Sequence, residues 1–119
     1  GAGGAAPLPN PFAAGQHWLG TYTCEQGLTE LDLRIVAVQG DDIGDGVFAY
    51  TWGDVVGSYH VTGTFEPATA SAKFVPGAWI DQPAGWTSVG MLGTVDAAMT
   101  TYAGDITYAG CGTFSVIRQ

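Results

Sequence analysis

From His17 to the end of the chain, apolar and polar positions alternate over short stretches, and clusters of Gly, Pro and Asp interrupt them at short intervals. The stretch from His17 begins the series. Trp18, Gly20, Tyr22 and Cys24 share one face by the period of two, and Glu25, Gln26 and Gly27 turn the chain. Residues 28–38 alternate most cleanly, with Leu31, Leu33 and Ile35 on one face and Glu30, Asp32 and Arg34 on the other. That is how a strand with one wet side reads. Turn signals at 39–42 lead to a third strand over 43–52, carrying Val47, Phe48, Tyr50 and Trp52. A loop over 53–57 precedes a fourth strand over 58–65, and a tight turn at 66–69 precedes a fifth over 70–75. One long connection is expected, residues 76–85, followed by strands over 86–95, 98–106 and 108–117. No stretch carries a helical period. The count is about eight strands, nearly all joined by hairpin-length turns.

A local form recurs in these strands: apolar, any residue, Gly, polar, apolar. It runs through Trp18-x-Gly20-Thr21-Tyr22, Val61-x-Gly63-Thr64-Phe65, Met91-x-Gly93-Thr94-Val95 and Tyr102-x-Gly104-Asp105-Ile106, with a partial copy at Gly112-Thr113-Phe114. Irregular spacing between copies rules out a solenoid. Mid-strand Gly weakens a flat sheet but permits the coiling and close backbone packing that barrel closure requires. The pattern predicts a single small antiparallel up-and-down β-barrel, with a β-sandwich as the alternative.

Closure makes a prediction about the 2 cysteines. With an even strand count, the end of the first strand lies beside the start of the last. Cys24 ends the first predicted strand and Cys111 opens the last, so a Cys24–Cys111 disulfide would join them across the seam. Strict alternation sets Cys111 with Thr113 and Ser115 and opposite to Phe114 and Val116, whereas Cys24 faces with Trp18 and Tyr22. A bulge at Gly110, Cys111 and Gly112 would reconcile the two.

Residues 1–16 are mostly Gly, Ala and Pro, with Leu8 and Phe12 as the large apolar side chains. This composition predicts an extended arm, kept straight by Pro7, Pro9 and Pro11, lying along the barrel wall or docked on a neighbouring chain. The division expected is therefore an arm over 1–16 and a barrel domain over 17–119.

Composition supports the all-β reading, since 19 Gly and abundant Thr and Val stand beside only 3 Lys plus Arg and three Glu. The formal net charge of −8 argues against nucleic acid and anionic membranes, which need a basic footprint, and favours solubility and, secondarily, cation binding. No apolar run has the length of a membrane span. A pairable cysteine couple with no redox or metal motif points to an extracytoplasmic setting, secreted, periplasmic or at the cell surface. The Gly-Ala-rich start suits a mature chain after signal removal or a linker.

Candidate chemistry is sparse. His17 and His60 have no nucleophile motif beside them, His60 falls on a solvent face, and the Asp residues concentrate in turns, so neither an enzyme nor a cofactor is expected. Asp41, Asp42 and Asp45, with Asp54 a hairpin away, form a weak calcium candidate that lacks the spacing of a calcium loop. The connection over 76–85 is the main binding candidate. Trp79 and Trp86 flank Asp81 and Gln82, a mixture suited to stacking on a sugar ring or a flat ligand at a barrel mouth. The competing reading makes Trp79 and Ile80 a plug over one end of the core. Whether the interior is filled or forms a cup stays open at this level.

The run Trp18-x-Gly20-x-Tyr22-x-Cys24-x-Gln26-Gly27-x-Thr29-x-Leu31-x-Leu33-x-Ile35, with Trp79-Ile80-x-Gln82-Pro83-x-Gly85 and Cys111-x-x-Phe114, resembles an uncharacterised bacterial all-β domain family found in secreted or multidomain proteins. The resemblance covers most of residues 17–118 and implies a shared fold and disulfide, with no known activity. The strand-opening Trp-x-Gly-x-Tyr and a later Gly-Thr-Phe look more distantly like avidin- and lipocalin-type barrels, and no ligand residue carries over from them. The expectation is a non-catalytic binding module for a small molecule, glycan or protein, acting through the barrel mouth and the Trp79 loop. The alternative is a structural subunit of a surface layer, fibre or capsid, a homo-oligomer whose arm docks on a neighbour.

Overall fold

The computed structural model describes residues 8–119. It consists of β1 (His17–Cys24), β2 (Gly27–Gln39), β3 (Asp42–Trp52), β4 (Val55–Glu66), β5 (Ser71–Asp81), β6 (Met91–Val95), β7 (Thr101–Ile106) and β8 (Thr113–Arg118). Strand order is sequence order, neighbours are antiparallel, and β8 returns to β1, with Trp18 opposite Arg118 and Tyr22 opposite Phe114. The barrel is closed and the sandwich is excluded. No helix among the described residues is long and apolar enough to cross a membrane.

Cys24 and Cys111 are joined, and the bond ties the end of β1 to the approach to β8. Cys111 does not open the last strand. It sits in the preceding turn, where its N–H donates to the Tyr108 carbonyl (3.1 Å) and the Gly112 N–H reaches the Thr23 carbonyl (2.8 Å). Gly110 takes φ 88°, a left-handed conformation that glycine adopts without strain. A residue outside the strand is free of its alternation, so the facing conflict vanishes without a bulge.

The expected boundaries fail most widely around β5, and β7 and β8 also begin later than expected, at Thr101 and Thr113 rather than at 98 and 108. β5 runs on through Pro76 and Gly77 to Asp81, and β6 starts only at Met91, so the long connection spans 82–90 rather than 76–85. β4 is long and supplies a partner along one side of β5, as far as Ser58 opposite Asp81. On the other side β6 pairs only from Ser71 to Phe74. Pro76 Cδ faces Gly90 on that side, and a residue without an N–H cannot donate to a neighbouring ladder. Proline thus ends the β5–β6 pairing without ending β5. Residues 55–57, expected as loop, likewise belong to β4.

The interior is filled. Inward side chains include Trp18, Leu33, Phe48, Tyr59, Phe65, Phe74, Met91, Tyr102 and Val116, all essentially buried. Gly20, Gly93 and Gly104 make the tight curvature possible: a Cβ on Gly20 would strike the Ser115 carbonyl, and Gly93 and Gly104, paired opposite each other, have no room for one either. The recurrent Gly form marks these close backbone approaches.

Residues 8–16 do not follow the wall. They turn into the barrel's own open end, beside the start of β1. Phe12 is 1% exposed and packs on Trp18, Phe74 and Tyr102 with ring centroids 4.7, 5.3 and 5.4 Å away. Polar side chains hold this plug. Asn10 accepts from the Phe12 N–H (3.0 Å) and donates to the Gly40 carbonyl (3.0 Å). Gln16 Oε1 accepts from the Ala13 N–H (2.9 Å) and from Trp18 Nε1–H (3.0 Å). The backbone joins β2 through Gly15 N–H to the Ile35 carbonyl (2.8 Å) and Ile35 N–H to the Gln16 carbonyl (3.0 Å). Residues 1–7 of the expected arm lie outside the described residues.

Candidate binding site

The opposite end of the barrel is built from three segments far apart in sequence: the β1–β2 turn, the β5–β6 connection and the β7–β8 connection. Between them lies a cavity of about 280 Å³, lined by Tyr22, Cys24, Glu25 and Gln26, by Gly85, Trp86, Thr87 and Val89, and by Tyr108, Ala109 and Cys111. The disulfide lies among its walls. Two of the three segments are fixed from below by a polar contact in the core.

The β1–β2 turn is set by Thr29, the one buried polar residue among those described. Its hydroxyl donates to the Gly27 carbonyl (3.2 Å) and accepts from Gln26 Nε2 (2.8 Å), which orients the Gln26 amide at the cavity edge. The β5–β6 connection is pinned by Tyr59, whose hydroxyl donates to the Val89 carbonyl (2.7 Å) and accepts from the Val89 N–H (2.9 Å). Gln82 Nε2 adds a bond to the Trp86 carbonyl (3.1 Å). In the β7–β8 connection Gly110 lies against Glu25, and a Cβ there would come 2.8 Å from Glu25 Oε1.

Aromatic rings form a continuous stack beneath and beside the mouth. Trp86 lies against Tyr50 (4.9 Å, 25°) and near Trp52 (6.0 Å), and Phe48 stacks on Tyr59 (4.8 Å, 12°). Trp79 meets Tyr59 edge-on (4.9 Å, 65°) and Tyr50 at 6.4 Å. The four residues expected to act together therefore separate. Trp86 borders the cavity, Gln82 holds its loop, Trp79 belongs to β5 and closes the core, and exposed Asp81 ends β5 outside the lining. Ile80 is exposed, so the plugging role falls to Trp79 alone. Tyr22, Glu25, Gln26, Thr87, Val89 and Tyr108 were not expected in a site. The signal for them lay in the cysteine pairing, which places residue 25 beside residues 108–110.

The other candidates do not assemble. Asp41 and Asp42 lie at the plug end, Asp54 in the β3–β4 turn at the mouth end, and Asp45 is engaged by His60 Nδ1 (2.9 Å) on the outer wall. No group of three or more metal-ligating side chains gathers among the described residues. His17 pairs with Asp32 (3.1 Å), which also accepts from Arg34 (3.0 Å).

Burial pushes the tyrosines of this stack upward. Desolvation raises Tyr59 and Tyr22 well above the ordinary tyrosine value, with neighbouring Tyr50 adding to the effect on each. Tyr50, desolvated and near Asp81, is pushed up to about 12, and its hydroxyl is buried without a partner. Desolvation raises Tyr102 as well. Above pH 10 the folded state thus holds more protons than the unfolded chain. Stability is complete below that pH and declines as pH rises, the share of Tyr50 being lost between its ordinary 10.0 and about 12. Alkaline titration should show the phenolate absorbance of these tyrosines appearing together with loss of near-UV circular dichroism. Their full ionisation at pH 11 with native dichroism would contradict the burial argument.

Comparison of the chain with protein-family models, curated proteins and solved structures finds no match, so the mouth is interpreted from its own residues.

Proposed function

We propose that this protein is a non-catalytic binding module of an oxidising, extracytoplasmic compartment, and that its site is the mouth at the disulfide end. The observation that carries the reading is the cavity itself. It is a recess of about 280 Å³ set on a filled barrel, walled by aromatic rings with a few convergent polar groups. Its loops are held by Tyr59, Thr29 and the disulfide, so little ordering is needed when a ligand enters, which favours affinity. The volume suits one ring-sized small molecule or a single sugar residue. The disulfide supports the compartment. The assembly alternative needs the arm to dock on a neighbour, and Phe12 of that arm is instead buried in its own barrel.

A fragment screen followed by ¹H–¹⁵N NMR tests the proposal. Hits should cluster on residues 22–26, 85–89 and 108–111, and Trp86→Ala should weaken them at least about 10-fold by removing the ring wall. Hits scattered over the outer wall, or none, would remove the mouth from consideration.

A further inference from the structure

The charge around the mouth has a direction. Every Lys and Arg of the chain lies in the half of the barrel nearer the plug: Arg34 pairs with His17 at the start of β1, Lys73 is near the start of β5, and Arg118 ends β8. Charged side chains of the mouth half are all carboxylates, namely Glu25, Glu30, Asp54, Asp81 and Asp105. Within the cavity lining Glu25 is the sole ionisable carboxylate, and it makes no ion pair or hydrogen bond among the described residues. It is exposed, and its carboxylate lies near Gly110, where a Cβ would come 2.8 Å from Oε1. The same lining carries the rings of Tyr22, Trp86 and Tyr108.

From this arrangement we infer that the mouth selects a small organic cation, a protonated amine carried on an apolar or aromatic body. The inference rests on the mouth being the binding site and adds the class of ligand. The ammonium group sits on Glu25, the one partnerless charge of the lining, and the body lies on Trp86. Ring faces carry negative electrostatic potential, so Trp86, Tyr22 and Tyr108 favour a cation for the same reason that they favour an apolar surface. A carboxylate beside low-dielectric walls acts more strongly than one in open water. Anionic ligands meet the reverse: a lining without a Lys, Arg or His and five surrounding carboxylates at Glu25, Glu30, Asp54, Asp81 and Asp105. Neutral sugars gain the stacking and donate hydroxyls to Glu25 but bring no charge to it.

The test compares three probes of one shape, benzylammonium, benzyl alcohol and benzoate, at pH 7 and low ionic strength, read by the Trp86 indole N–H in ¹H–¹⁵N spectra of the whole chain. Benzylammonium should saturate the shift at a concentration about 10-fold below benzyl alcohol, and benzoate should be weakest. Glu25→Gln, which keeps the shape of an exposed side chain, should abolish the preference by bringing benzylammonium down to the level of benzyl alcohol. Raising the salt to 0.5 M should narrow the gap. If benzyl alcohol or benzoate matches benzylammonium, or if Glu25→Gln leaves the preference intact, the cation assignment is overturned and the mouth remains a neutral-ligand site. If none of the probes shifts Trp86, the binding reading falls and this inference with it.

Discussion

Replacing Cys24 and Cys111 together by alanine is expected to lower the stability of the domain by about 4.5 kcal/mol, and reduction of the native protein should do the same. The bond spans 87 positions, and closing a loop of that length removes much of the conformational freedom of the unfolded chain. With a urea slope of about 2 kcal/mol per molar, typical of small domains, the midpoint should fall by roughly 2 M. The seam itself should persist, because β1 and β8 are paired from Trp18 to Tyr22 and Gly112 still bonds Thr23. The loss is thus mainly a gain of disorder in the unfolded state, and the reduced protein should keep its barrel in the absence of denaturant. The mouth should suffer more than the fold, since the sulfurs lie in the lining and couple the β1–β2 turn to the β7–β8 connection. Equal midpoints with and without reductant would show that the bond contributes nothing to stability.

Phe12→Ala should destabilise by about 3–5 kcal/mol, a large effect for a residue in a segment of linker-like composition. The ring is enclosed by Trp18, Phe74 and Tyr102, and truncation leaves a cavity that the rigid barrel end cannot collapse to fill. Deleting residues 1–16 should go further. It also removes the Gln16 acceptor of the Trp18 indole and the two backbone bonds to Ile35, and it opens to water an indole that is fully buried in the whole chain. Urea unfolding of both variants against the full chain measures the difference. An unchanged midpoint for Phe12→Ala would mean that the plug is not part of the folded core.

The barrel was legible because three independent signals agreed: period-two alternation, short turns, and cysteines at the end of the first strand and the approach to the last. The mid-strand Gly form added curvature, and Gly20, Gly93 and Gly104 do sit where backbones nearly touch. Other features were hidden for identifiable reasons. Pro76 and Gly77 read locally as a loop, yet a proline costs a strand little where one side has no partner, and β4 held β5 in place. Phe12 was masked by its Gly, Ala and Pro neighbours, which carry no period, while the caps that fold the segment inward come from single Asn10 and Gln16 side chains. The mouth was hardest, because its walls come from residues some 80 positions apart that only the closed seam unites. Trp86 was visible in the sequence. Glu25, inside an ordinary turn signal, was not.

The plug has a further consequence, for orientation. Residues 8–16 cross the end opposite the mouth, and the chain finishes there too, with the Gln119 N–H donating to the His17 carbonyl (2.9 Å). A partner joined after Gln119 therefore departs from that end and is expected to leave the mouth free.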